Sequence, residues 1–389
     1  MRIPSKIPST IAYYYAFIIL GLIAGVFGPT LVILASQTRT TLGEISIIFA
    51  ARSFAYLVGS LLWGRLFDRI KGHPLLAATL LVTATTFVLI PLVGELWLLI
   101  AVVLVLGIAE GGIDVGGNSL LLWMHRENAS PFLNGLHFFF GVGALISPIV
   151  VAQVVLSTGE IVWAYWFLAI VALPAAAWLF RLPSPSPRHE SPQEKSGKAS
   201  RLLVAGFVLF FFLYVGAEVG YGNWIFTYAT KLNLSDATSG ALLTSAFWGS
   251  LTFGRLMGVP LSAKFQPASI LLVDLIGVIS SLIGIFLFTQ SVTALWFGTV
   301  TTGLFMASIF PTTLALAGRK MTVTGETTGL FFVGGGGGSM FLPWLIGQFF
   351  EPVGASITIV LVLANFIIAL ALFVLILGRN TPSGIIARR

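Results

Sequence analysis

Long apolar runs recur along this chain, and they restrict its fold more than any other feature. Twelve stretches pass with almost no charge, near residues 11–35, 44–67, 74–94, 96–124, 132–156, 161–181, 202–230, 237–264, 268–289, 292–318, 326–350 and 354–378. About 20 apolar residues in a helix cross the hydrocarbon core of a bilayer. In lipid only a helix or a closed barrel satisfies its own backbone. With 57% of residues hydrophobic and 9% charged, the chain lies far from the roughly 25% charged composition of a soluble domain. The first run, Ile11 to Ala35, is too long for a signal-peptide core and reads as the first spanning helix. The expected fold is an all-α membrane protein with twelve transmembrane helices. The absence of cysteine excludes disulfides, thiolate metal sites and a cysteine nucleophile.

The series is interrupted once. From Leu182 to about Arg201 the sequence is polar, charged and rich in proline, a composition that forms a linker rather than a packed unit. The expected organisation is an N-terminal six-helix bundle (1–181), a cytoplasmic linker (182–201) and a C-terminal six-helix bundle (202–389). With the N-terminus inside, 17 of the 21 basic residues fall in inner segments, two (Arg39 and Lys231) fall in outer loops, and Arg52 and Arg255 lie within spans. That asymmetry places both termini in the cytoplasm. It also accounts for the net charge of +7 without a nucleic-acid partner. The expected setting is the plasma membrane, or the inner membrane of a bacterium, with the lipid bilayer as partner and the chain monomeric. The halves are weakly similar. Trp63-Gly-Arg65-Leu-Phe-Asp68-Arg69 ends the second run, and Phe253-Gly-Arg255-Leu-Met ends the eighth. Repeated six-helix halves with a site at midplane are one transporter architecture.

Charged groups inside the spans mark the candidate site. Glu110, Asp114 and Asn118 recur every fourth residue in an otherwise apolar run, so a helix sets them on one face about 6 Å apart. An ionisable group at that depth costs about 2.5–3.5 kcal/mol and needs a partner, a cation or a proton. Arg52 lies at similar depth and pairs with one of the acids, Glu110 being the expected partner. Asp114, together with Glu110, is the candidate for cation coupling, by binding H⁺ or supplying oxygen to Na⁺. Arg255 and Asp274 lie at similar depth on the eighth and ninth helices and are expected to form a structural ion pair. Asp68, with Arg65 and Arg69, is expected to form a charge cluster that locks the two halves in one conformation. Gly334–Gly338 falls inside the eleventh run. Close helix packing is its expected role, and an unwound segment the alternative.

The six-plus-six pattern, with Gly64-Arg65-Leu66-Phe67-Asp68-Arg69 between the second and third helices, resembles the major facilitator superfamily. Four segments narrow the resemblance: Ile113-Asp114-Val-Gly-Gly-Asn118, Leu133-Asn134-Gly-Leu-His137-Phe-Phe-Phe140-Gly-Val-Gly143, Tyr214-Val-Gly-Ala-Glu218-Val-Gly-Tyr221-Gly-Asn223-Trp224, and Gly303 to Pro311. They are similar to the fucose-permease group and to the vertebrate sodium-dependent glucose transporters. The resemblance implies uptake of a neutral monosaccharide, a hexose or fucose-like sugar, by symport with H⁺ or Na⁺ and alternating access. No other cofactor is implied, and no metal beyond a possible Na⁺ at Asp114. Asp114 falls at the group's coupling glutamate and His137 at its sugar-binding glutamine. Phe140 replaces a following asparagine, and the first helix lacks the group's coupling acid.

Other candidate substrate contacts are Asn118, Glu218, Tyr221, Asn223, Trp224 and Trp248. Acids and amides bond sugar hydroxyls, and flat rings cover the apolar C–H face. For Trp224 an outer aromatic belt is the alternative, and for His137 the alternatives are proton transfer and helix packing. Export of drugs or lipids is the competing transport activity. An intramembrane enzyme would need a nucleophile with its base or a metal site, and the chain has no HExxH motif and no cysteine.

Overall fold

The computed structural model describes residues 6–185 and 201–378, and nearly all of them are helical. The first six spanning helices are α1 (Ile7–Gln37), α2 (Leu42–Phe67), α3 (Gly72–Leu92), α4 (Leu96–His125), α5 (Ala129–Thr158) and α6 (Val162–Arg181). The second six are α7 (Arg201–Lys231), α8 (Ala237–Lys264), α9 (Pro267–Leu287), α10 (Val292–Lys320), α11 (Gly325–Val353) and α12 (Ile357–Leu377). Among the described residues there is no strand. Eleven of the twelve helices are long and apolar enough to cross a membrane. The exception is α8, whose 28 residues suffice in length but include several Ser and Thr, Arg255 and Lys264. The expected linker lies outside the described residues from 186 to 200.

Local chemistry sets the ends. Asp236 accepts from the Ser239 N–H at 2.7 Å and starts α8. Thr324 and Thr327 exchange capping bonds at the start of α11, a first-turn arrangement that satisfies otherwise orphaned donors. Helix α3 tightens into a 3-10 turn at Ile90–Leu92, where Pro91 sits. The apolar pattern reads α10 as continuous, but it breaks at Ala307 and Ser308 between Val292–Met306 and Ile309–Lys320. Pro311 contributes to the break, because it has no N–H for the Ala307 carbonyl four residues earlier.

Glycines decide which helices touch, and they do so twice over. Gly143 of α5 lies against the Ile18 and Leu22 backbone of α1, where a Cβ would collide. Gly338 of α11 lies equally close to the Phe212 carbonyl and Gly216 of α7. Gly111 of α4 would put a Cβ 2.6 Å from the Tyr56 carbonyl of α2, and Gly303 of α10 one 2.6 Å from the Phe247 carbonyl of α8. Crossings 1–5 and 2–4 of the first half thus recur as 7–11 and 8–10 in the second. Small residues allow such backbone contact between membrane helices.

The halves meet unevenly. One end of the molecule, here the terminal end, holds the start of α1 and the finish of α12. At the opposite, far end, Glu351 of α11 accepts from the Leu42 N–H of α2 at 3.1 Å. Gln348 donates to the Gly43 carbonyl at 2.8 Å, and the Ser46 hydroxyl donates to the Trp344 carbonyl at 3.3 Å. Toward the middle the seam continues through Phe49 against Trp224 and Phe140 against Trp248. Leu57 of α2 sits over Gly336 of α11. Among the described residues no hydrogen bond joins the halves at the terminal end. His137 and Asn134 are exposed on α5 although they lie within a spanning helix. The space between the halves therefore opens toward the terminal end.

Asp68, Arg65 and Arg69 are exposed at that open end, and none has an ion-pair partner among the described residues. The expected lock is not made in this conformation, because the surfaces it would join stand apart. The Gly334–Gly338 run is helical throughout, so the unwound alternative is set aside. Gly334 and Gly338 instead press on α7.

Candidate functional site

The N-terminal half of the site is a ladder between α2 and α4. Arg52 and Tyr56, four residues apart on α2, face Glu110 and Asp114, four apart on α4. Arg52 grips Glu110 with both ends of its fork, Nε to Oε2 at 2.8 Å and Nη2 to Oε1 at 2.7 Å. The two side chains are only 11% and 12% exposed. Such bidentate, charge-assisted bonding is the strong form of the interaction. The guanidinium also lies 5.3 Å from the centre of the Phe27 ring. The expected Arg52–Glu110 pair is therefore formed.

One rung further, Asp114 is held differently. The Tyr56 hydroxyl donates to Oδ2, and Asn118 Nδ2 donates to Oδ1 at 2.8 Å. No cation reaches this carboxylate, since Arg52 is taken by Glu110. Tyr56 was not among the sequence candidates, although its position four residues after Arg52 was a usable signal. Gly111 and Gly59 explain why the rungs are short, as each allows the α2 and α4 backbones to approach within the reach of a Cβ.

His137 projects from α5 with its ring edge-on to Phe17, centroids 5.8 Å apart. It is within electrostatic reach of Arg255 across the seam. No hydrogen bond joins it to Asn118, which is half-buried on α4 and turned to Asp114.

The C-terminal half departs from the expected pairing. Arg255 Nη2 lies 3.4 Å from Glu218 Oε1, with side chains 25% and 12% exposed. Asp274 is 7% exposed and accepts from the Ser308 hydroxyl at the break in α10. The Arg255–Asp274 pair is thus not formed. Depth placed the two side by side, but α8 turns Arg255 toward α7 while Asp274 faces α10. Tyr214 of α7 stands among these groups and donates to the Met306 carbonyl at 2.9 Å.

The remaining candidates do not share one surface. The Tyr221 hydroxyl bonds Thr299 at 2.8 Å inside the C-terminal half, and its ring is fully buried. Trp224 is also fully buried and donates to the Pro343 carbonyl at 2.9 Å, between Phe49 and Phe350. It belongs neither to an outer belt nor, in this conformation, to an open cavity, but seals the far seam. Trp97 and Trp163 are exposed at that end. Asn223 donates to the Val219 carbonyl at 2.8 Å, yet its Oδ1 is buried without a partner, as is the indole N–H of Trp248. An orphan acceptor and an orphan donor thus lie where α7 and α8 meet α1 and α5, next to Gly28 and Phe140.

Twelve helices in two glycine-crossed halves, with buried charges facing a seam open at one end, define a multi-pass membrane transporter. The Major Facilitator Superfamily model matches residues 13–343, and the chain belongs to that family. A sodium-dependent glucose transporter 1 of Xenopus laevis is 33% identical over 356 residues, covering 83% of this chain and 72% of its own length. A sodium-dependent glucose transporter 1A of Mus musculus is 30% identical, covering 86% of this chain and 88% of its own length. The major facilitator superfamily domain-containing protein 4A of Danio rerio is 29% identical, with coverages of 89% and 83%. The fold also matches a bacterial homologue of the human lysosomal transporter Spinster in an inward-facing and occupied conformation, with a TM-score of 0.78, 14% identity and 97% of both chains covered. A mutant of the nucleoside transporter NupG superposes with a TM-score of 0.77 at 13% identity, covering 95% of this chain and 99% of that one.

Proposed function

We propose that this transporter takes up a neutral monosaccharide, a hexose or fucose-like sugar, together with H⁺ or Na⁺. It works as a monomer in the plasma membrane with both termini cytoplasmic, so the opening at the terminal end faces inward. The observation that carries this reading is Asp114, a carboxylate at span depth held by a tyrosine and an amide but by no cation. Such a group is completed by a proton or a metal cation, and its charge is expensive without one. Sugar specificity is supported by the polar groups beside it. Asn118 is turned to Asp114, His137 is exposed on α5, and the unpartnered Asn223 Oδ1 and Trp248 N–H suit hydroxyl groups entering the seam. The relatives named as sodium-dependent glucose transporters support the same substrate class.

Alternating access follows from the uneven seam. The far-end bonds of Leu42, Gly43 and Ser46 with Glu351, Gln348 and Trp344 hold one state. Their rupture, with closure at the terminal end, gives the other, and bound ligands shift the balance by their differential affinity. An apolar crevice of about 600 Å³ between α1, α5, α7 and α8, lined by Ile33, Val151, Val155 and Phe226, favours a second reading, export of an apolar drug or lipid.

The test is transport in liposomes reconstituted with the purified protein, offered a panel of labelled sugars under a Na⁺ gradient or a pH gradient imposed separately. The expected result is accumulation of one sugar class under one gradient. Asp114→Asn should abolish accumulation by 100-fold or so, equivalent to about 2.7 kcal/mol of lost coupling, while sparing sugar exchange. No accumulation of any sugar under either gradient overturns the uptake reading, and full accumulation by Asp114→Asn removes that residue from coupling.

A further inference from the structure

We propose that Asp274 and Ser308, where α9 meets the break in α10, form a second proton-binding site, separate from Asp114. The proposal rests on the C-terminal half alone and does not depend on the sugar reading. Asp274 is 7% exposed and is the only ionisable residue of α9. Its surroundings explain why a proton, rather than a side chain, completes it. From α10 it receives the Ser308 hydroxyl, while Arg319 and Lys320 of that helix lie at its terminal end. From α7 it faces Tyr214, whose hydroxyl is given to Met306, and beyond it Glu218. From α8 comes Arg255, already engaged with Glu218, and Lys264 lies at the terminal end of that helix. Helix α12 has no ionisable residue between Ile357 and Leu377.

The helix break supplies what such a site needs in both states. With Asp274 charged, the Ser308 hydroxyl donates to it. With Asp274 protonated, the new carboxylic O–H donates to Ser308 Oγ. The serine proton then turns to a carbonyl of the broken turn, where Pro311 leaves the Ala307 C=O without its usual donor. A continuous helix would have every carbonyl at this level engaged. The proton is exchanged with solvent on the side where Arg255 is 25% exposed, and no other bond is made or broken. Two carboxylate oxygens and one hydroxyl suffice for a proton but fall short of the shell a metal cation requires. Among the described residues no cluster of three metal-ligating side chains exists.

The site has a built-in reader. Tyr214 faces both Asp274 and Glu218, so the change of charge at Asp274 is felt one side chain away from the Glu218–Arg255 pair. The 3.4 Å separation of the Glu218–Arg255 pair is that of a contact easily exchanged. Since Arg255 also reaches His137 electrostatically, proton occupancy at α9 changes the charge presented to the seam.

Infrared titration of the purified full-length protein in lipid, with no sugar present, tests this directly. The wild type should show a protonated carboxylic C=O band that fades as pH rises. Asp274→Asn should lack that band, and Asp114→Asn should keep it. Ser308→Ala should retain the band but displace the pH at which it fades by removing the hydroxyl that bonds the charged form. Identical titrations for wild type and Asp274→Asn overturn the proposal. Should Asp274→Asn fail to fold, an unchanged titration in Ser308→Ala overturns it equally.

Discussion

Each half of the molecule holds one arginine–glutamate pair within its spans, and the two are built to different tolerances. Arg52 and Glu110 meet through two bonds of 2.7 and 2.8 Å, nearly shielded from solvent. Arg255 and Glu218 meet through a single 3.4 Å contact, and the arginine is 25% exposed. Beside each pair stands an aspartate held only by neutral donors, Asp114 by Tyr56 and Asn118 and Asp274 by Ser308. A tightly forked pair in low dielectric fixes the angle between its helices. A single long contact is weaker and freer to change partners. The difference suggests a division of labour in which the α2–α4 ladder is a fixed strut and the α7–α8 pair is the adjustable member.

The largest expected effect tests the strut. Arg52→Leu leaves Glu110 buried and unpaired, a change that costs about 3–5 kcal/mol. The same change at Arg255 removes a single 3.4 Å contact made by an arginine 25% exposed, and should cost less, about 1–3 kcal/mol. Thermal unfolding in detergent measures both, and equal losses would erase the distinction. Replacing both Arg52 and Glu110 by leucine should recover much of the stability. A smaller effect is expected where the halves slide on each other. Gly336→Leu places a side chain against Leu57, and overpacking there costs about 1–3 kcal/mol. Transport should slow by about 5- to 150-fold with the fold intact, and wild-type rates would show that the Leu57–Gly336 contact plays no part in the cycle. The smallest effect is at the far seam. Glu351→Gln weakens the bond to the Leu42 N–H by about 1 kcal/mol, so the far-open state should gain about fivefold in population. Spin-label distances between α2 and α11 would report it, and an unchanged distribution would remove Glu351 from the gate.

The fold was legible because its chief cause is one-dimensional. A bilayer counts apolar residues along the chain, and even the more polar α8 keeps the length the pattern demands. Within the site the legible part was that determined along a single helix. The spacing of Glu110, Asp114 and Asn118 fixed their common face, and Arg52 found Glu110 because their depths coincide. Depth without azimuth misled at Arg255, which turns to α7 and leaves Asp274 to α10. Asp68, Arg65 and Arg69 illustrate a different limit, since whether they meet anything depends on which end of the molecule is open. Trp224 could not be placed from sequence because its neighbours, Phe49 and Phe350, come from helices remote in the chain. Tyr56 was within reach, one turn beyond a buried arginine, but a tyrosine in an apolar run carries no mark of its own.

The glycines of α11 have a mechanical consequence. Each glycine in a helix interior costs about 0.5–1 kcal/mol of backbone order relative to alanine, so five in succession make this the least self-supporting turn-and-a-half of the protein. Its shape is borrowed from Phe212 and Val208 on one side and from Leu57 on the other. When the halves part and Leu57 withdraws, the segment keeps only one of its two supports. Helix α11 then has a compliant segment at that level, where a rigid rocking of two bundles would gain an elastic joint.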